Sequence, residues 1–162
     1  MKYLLLVLLA LIPLGCSPQA MLEAEAKRPN PAPPSTTCPP PGTSVPFAQL
    51  WAQAGSYNGC DVTSEVAFHS AMQGCPQRTP VGPGDACFMV SPPNQQSAHP
   101  LKVGRDFSGP LFNAASGALF QVRGAILVDQ DMGVVAFAAS GVQPVASAAA
   151  APTTSADAGT SP

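Results

Sequence analysis

"CDVTSEVAFHSAMQGC", residues 60–75, decides how the rest of the chain is read. Thr63 is a good N-cap, Glu65 lies in what would be the first turn, and Gly74 is placed to end the element, so the punctuation predicts a helix over residues 63–73. Upstream, Phe47, Leu50, Trp51 and Ala54 fall at i, i+3, i+4 and i+7. Pro46 sits where a first turn tolerates it and Gly55 follows as a stop, which predicts another short helix. Both are too short to stand without tertiary support.

Downstream the pattern changes. "PQRTPVGPGDA" is turn chemistry, "CFMV" is a short apolar strand candidate and "SPPNQQSAHP" is a loop without a period. Phe120, Val122, Ile126 and Val128 recur on one face of an alternating run broken at Gly124. After "DQDMG" a second apolar run, Val134 to Ala139, follows, and the pair predicts a β-hairpin. The expected fold is α+β: two short helices and a C-terminal β-hairpin or three-stranded sheet, stapled by disulfides and flanked by disordered segments. The folded part is expected over residues 44–140. Residues 141–162, rich in Ala, Ser, Thr and Pro, are expected to form a disordered tail.

Charged residues make up only 10% of the 162-residue chain and the formal net charge is -2. There is no basic stripe for nucleic acid and no polybasic patch for anionic lipid. Much of the proline, 20 residues in all, lies in Pro29 to Pro46 and Pro76 to Pro100, marking spacer and loops rather than a uniformly unstructured chain. Residues 16–43 carry no sustained period. Their prolines favour extended polyproline II geometry, that of a stiff spacer.

Met1-Lys2 is a positive start, Leu4 to Leu14 an apolar core and Gly15-Cys16-Ser17 a run of small residues, the three-part plan of an export signal. The apolar run falls short of the ~20 residues needed to span a bilayer. "LGC", residues 14–16, resembles the lipobox of bacterial lipoproteins, in which a small residue precedes a cysteine that is lipidated and becomes the first residue of the mature chain. Pro13 stands where that pattern usually has Leu. The resemblance implies a signal peptide over residues 1–15 and a lipid on Cys16. Ser17 rather than Asp after it implies transfer to an outer membrane, where the domain would face the periplasm or the cell surface.

The chain has 5 cysteines, and assigning Cys16 to lipid leaves Cys38, Cys60, Cys75 and Cys87, an even set expected to form two disulfides in an oxidising compartment. A helix over 63–73 would hold Cys60 and Cys75 too far apart to bond. Two pairings remain: Cys38–Cys60 with Cys75–Cys87, which is preferred, or Cys38–Cys75 with Cys60–Cys87.

The two histidines, His69 and His99, come with no nucleophile turn or oxyanion motif, although Asp61, Ser64 and Ser70 lie near His69 in sequence. Cys60, His69 and Cys75 do not match zinc-module spacing, and without C-x-x-C a redox role is disfavoured. Asp129 and Asp131 in "DQDMG" echo the opening of a calcium loop but lack its remaining ligands, and read as a hairpin turn. Phe47, Trp51 and Phe68 read as core. No cofactor or metal is expected.

The expected function is that of a non-enzymatic, lipid-anchored envelope module that binds another protein or the cell wall. The rival expectation is a small inhibitor of a protease or lysozyme. Its presenting loop would be "PQRTPVGPGD", between Cys75 and Cys87, with Arg78 as the exposed anchor.

Overall fold

A computed structural model describes residues 28–145 of the chain. The expectations for the leader, Cys16 and residues 146–162 lie outside the described residues. In chain order the elements are β1 (Thr43–Ser44), α1 (Phe47–Ala52), α2 (Ala54–Tyr57), β2 (Val62–Ala71), β3 (Ala86–Ser91) and β4 (His99–Val103). A 3-10 turn (Arg105–Phe107), α3 (Gly109–Phe112), β5 (Leu119–Asp129) and β6 (Gly133–Pro144) complete them.

The α+β expectation is overturned, because the stretch read as a second helix is the ten-residue strand β2. Val62, Ser64, Val66 and Phe68 are all buried, which is the period of a strand and not of a helix. Ser64 disguised that alternation. It sits 1% exposed on the inner face, and its hydroxyl donates to the carbonyl of Val45 at 2.6 Å, which removes the penalty of burying it. Val62, Thr63, Val66 and Phe68 are residue types that favour a pleated sheet. Glu65 and Gly74, read as helix punctuation, are instead an outward strand residue and part of the turn after the strand.

The strands run β2-β3-β4-β6-β5, and β5 pairs back onto β2 from Val62↔Gly124 to Ala67↔Leu119, closing a five-stranded barrel. The small β1 lies parallel on β2. Within the five-stranded barrel, neighbouring strands are antiparallel except β4 and β6, which run parallel. Leu101 and Phe137 face each other across that parallel pair, and both are fully buried. Phe88, Val90, Val103, Phe120, Val122 and Ile126 fill the rest of the interior. The expected β5–β6 hairpin is present, though longer than expected: β6 continues to Pro144, so residues 141–144 belong to the sheet and not to a tail.

α1 lies over the barrel with Phe47 and Leu50 buried. It ends at Ala52, and Gly55, expected to stop it, falls within α2. Before the barrel, the proline-rich segment is fastened rather than free. Ala32 N–H donates to Val128 O at 2.8 Å, and Asn58 Nδ2 donates to the carbonyls of Ala32 and Pro33. Disulfides join Cys38 to Cys60 and Cys75 to Cys87.

Gly124 marks a close approach between strands. It sits at a register shift in β5, and a Cβ there would lie 2.0 Å from the backbone oxygen of Ala138. Gly141, on the facing strand, has only the Arg123 side chain within reach, at 3.8 Å. Gly124→Ala should therefore destabilise the fold by about 2–3 kcal/mol or more, whereas Gly141→Ala should change it little. Urea denaturation midpoints of the two variants check the contrast.

Candidate functional site

β3 and β4 turn Phe88, Val90, Leu101 and Val103 inward, so Cys87, Met89, Pro100 and Lys102 point out of the barrel. This outer face does not lie open. The β2–β3 connection, residues 72–85, is bonded to it through Cys75–Cys87, and Cys87 is only 3% exposed. Asp85 then pairs with Lys102 at 2.9 Å. Further out, Arg78 reaches the β5–β6 turn, where its guanidinium binds Asp129 at 3.0 Å and also Asp131. A cavity of about 50 Å³ remains beneath this loop, lined mainly by Pro29, Pro31, Pro80, Leu127, Val128 and Val135.

The Arg78 clasp is a hydrogen-bonded network as well as an ion pair. Asp129 accepts the backbone N–H groups of Asn30 (2.7 Å), Asp131 (3.0 Å) and Met132 (3.2 Å) in addition to Arg78. Burial pushes this carboxyl up, but those donors outweigh it and hold its pKa below the ordinary carboxylate value. Asp131 is lowered chiefly by Arg78 and then by Asn30. Arg78 is therefore not the exposed anchor that an inhibitory loop would need: its side chain is 15% exposed and is engaged with two carboxylates. The large apolar residue that the loop exposes is Val81, at 59%.

The chemistry-bearing residues that lie close in sequence have separate partners. His69 Nε2 is 2.9 Å from Ser91 Oγ, and Ser91 is fully buried with its hydroxyl also 3.0 Å from the carbonyl of Pro92. When that hydroxyl donates to Pro92, His69 must donate to it, which is a structural tie and not an activated nucleophile. Ser64 is committed to Val45, Asp61 accepts from Arg123 Nε at 3.0 Å, and Ser70 is exposed. His99 stacks on Trp51 with ring centroids 4.3 Å apart, and burial lowers its pKa. Phe47 and Phe68 are in the core and Trp51 packs against it.

Among the described residues no three His, Cys, Asp or Glu side chains are grouped to hold a metal. Asp129 and Asp131 meet a guanidinium where a calcium loop would hold its ion. Also among the described residues, no helix is long and apolar enough to cross a membrane. The clasp could not be read from sequence, because Arg78 and Asp129 are 51 residues apart and nothing local marks either as a partner.

A second feature lies beside β2, where a groove of about 390 Å³ opens between the β1–α1 junction and the β3–β4 loop. Val45, Pro46, Phe47, Pro92 and Pro93 line it, with Glu65 and Gln95 contributing polar groups. Sequence reasoning missed it. The proline pair after Ser91 was the available signal, since it ends strand pairing beside β2.

The strand order of this barrel is that of the oligonucleotide- and oligosaccharide-binding (OB) class, a five-stranded Greek-key barrel. Members of that class bind ligands over their second and third strands, a position that corresponds to β3 and β4. In this chain that face carries the disulfide-pinned loop, and the class alone defines no ligand. No family model and no curated protein matches the sequence. Among solved structures, a proposed aspartyl-tRNA synthetase from Leishmania major Friedlin is similar at 9% identity and a TM-score of 0.45. The match covers 78% of this chain and 25% of that one, a likeness too slight to support any argument about function.

Two outcomes are expected from this geometry. The folded pKa values of Asp129 and Asp131 lie below their unfolded ones, so the clasp contributes stability that is fully present above about pH 4. That contribution is lost as the pH falls through the depressed folded values. Arg78→Gln should raise the pH of the acid-unfolding midpoint, read by circular dichroism; an unchanged midpoint would mean that the clasp does not hold the loop. Thr79, 6% exposed, buries a hydroxyl with no hydrogen-bond partner among the described residues. Thr79→Val, which keeps the shape and removes that polar atom, should raise the urea midpoint by the equivalent of about 1 kcal/mol.

Proposed function

We propose that this chain is a lipid-anchored envelope protein whose barrel is a non-enzymatic binding module. Cys16 would carry the lipid, the residues between Cys16 and the fastened proline-rich segment would tether the barrel to an outer membrane, and the partner would be another envelope component. The observation that carries the reading is the distribution of open and closed surface. The face over β3 and β4 is covered by the protein's own disulfide-pinned loop, and the groove beside β2 stands open. Of the chemistry-bearing residues flagged in the sequence, Asp61, Ser64, His69 and Asp129 are held by structural partners, which also favours binding over catalysis.

Charge pairing supports leaving nucleic acid out. Of the five described Lys and Arg residues three, Arg78, Lys102 and Arg123, are paired with aspartates, and a phosphate backbone is bound through several cations free to replace counterions. A triacylated Cys16 would anchor firmly, since each buried methylene contributes about 0.8 kcal/mol and a single chain is marginal.

The test is the intact mass of the protein taken from the membrane fraction of its own host. A mature chain that begins at Cys16 with added acyl groups is expected, and Cys16→Ser should move the protein to the soluble fraction. A wild-type chain recovered soluble and without lipid would overturn the anchored reading.

A further inference from the structure

The groove beside β2 has a chemical character that follows from strand geometry. Successive residues of a strand turn their backbone N–H and C=O to opposite edges. Phe68 bonds toward β5, giving its N–H to Ala118 O at 2.8 Å and accepting from Gly117 N at 2.7 Å. Val62, Ser64 and Val66 therefore share the β5 edge. Thr63 faces the other way, and its carbonyl accepts the N–H of Val45 at 2.9 Å. Glu65 and Ala67 share that second edge with Thr63.

Along this edge Thr63 is met by β1 and Ala67 lies opposite Ser91 of β3. Glu65 lies between them. Extending the β3 register two residues beyond Ala67↔Ser91 places residue 93 opposite Glu65, and residue 93 is proline, which has no N–H to give. On the other side β1 has ended at Ser44, and the next carbonyl, that of Val45, accepts the Ser64 hydroxyl at 2.6 Å and not the Glu65 N–H. The Glu65 N–H and C=O thus have no backbone partner along this edge among the described residues, and Glu65 is the one charged side chain lining the 390 Å³ groove.

We propose that this groove binds an extended peptide segment of a partner protein that carries a lysine or arginine. The segment's backbone would exchange hydrogen bonds with Glu65, as in strand addition at a sheet edge, and its cation would meet the Glu65 carboxylate. An extended backbone presents a donor and an acceptor together along one edge, matching the pair that Glu65 offers. The prolines at the rim confine pairing to a short segment, because Pro46, Pro92 and Pro93 offer no donors to a longer strand. The chain's own residues 146–162 are a poor fit, since Asp157 is their only charged side chain. The proposal rests on the binding-module reading and names the partner class for it.

The test uses the full-length, isotope-labelled chain in detergent and a positional-scanning library of acetylated, amidated pentapeptides with lysine fixed at the centre. A matched library carries norleucine at that position. The expected result is a saturable shift of the Glu65 amide resonance with the lysine library. Glu65→Gln should weaken binding about three-fold, the size of an exposed ion pair. N-methylation of the peptide amide that donates to Glu65 should weaken it about five-fold or more, the size of one hydrogen bond. Peptides that bind with Glu65 unmoved would overturn the groove assignment while leaving a binding module in place. Equal binding of lysine and norleucine libraries, or no shift with either, would overturn the proposal. Concentration-dependent dimerisation that shifts Glu65 without peptide would overturn it in favour of a second copy. The mass measurement above stands or fails independently of each of these results.

Discussion

The fold depends on one strand pairing with two partners at once. β2 gives one edge to β5 for six residue pairs and the other to β3 for four, and only this double engagement closes the sheet into a barrel. Closure brings Val62, Val66 and Phe68 into the interior against Phe120, Val122 and Ile126. It also fixes Ser64 on the inner face, where its hydroxyl needs a partner and takes the Val45 carbonyl. That bond draws in the chain entering α1, so that Phe47 and Leu50 pack into the same core. Close strand approach makes Gly124 obligatory, because a side chain there would meet the backbone of Ala138.

What could be read from the sequence was local. The β5–β6 hairpin was legible because Phe120, Val122 and Ile126, with the half-buried Val128, keep one face across the break at Gly124 and "DQDMG" is a short turn; α1 was legible because Phe47 and Leu50 repeat at helical spacing. β2 was misread because the capping signs of Thr63, Glu65 and Gly74 were local and concordant, whereas the inward alternation contained a serine whose burial is explained only by a carbonyl 19 residues away. β4 gave no readable period, since just Leu101 and Val103 of its five residues are fully buried. The observed disulfides are one of the two pairings left open. The geometric objection to Cys60–Cys75 survives the error in secondary structure, because a ten-residue strand separates its ends even further than a helix does.

Electrostatics in this chain serves the loop more than the surface at large. Among the described residues Arg78, Lys102 and Arg123 are in ion pairs, and the pairs of the first two hold the β2–β3 connection. Exposed pairs contribute little, typically below ~1 kcal/mol. Asp129 differs because its side chain is 2% exposed and its lone pairs are met by three backbone donors, so removing Arg78 would leave a shielded charge without its counterion. The loop is thus held covalently at Cys87 and ionically through Arg78 with Asp129 and Asp131 and through Asp85 with Lys102. The ionic attachments are the ones that weaken in acid, since each carboxylate is held below its ordinary pKa.

Proline stops the strand ladder beside β2. A closed barrel has no free edge, so a partner that recognises backbone can engage it only where a ladder stops early. Pro92 and Pro93 stop β3 immediately after Ser91, and Pro46 turns the chain out of β1 and into α1. Between these two stops β2 runs on, still paired with β5 along its opposite edge. The result is a site whose backbone is held rigid by the barrel and whose length is limited by its rim. Such a site favours a short, specific contact over the open-ended pairing that leads edge strands to aggregate.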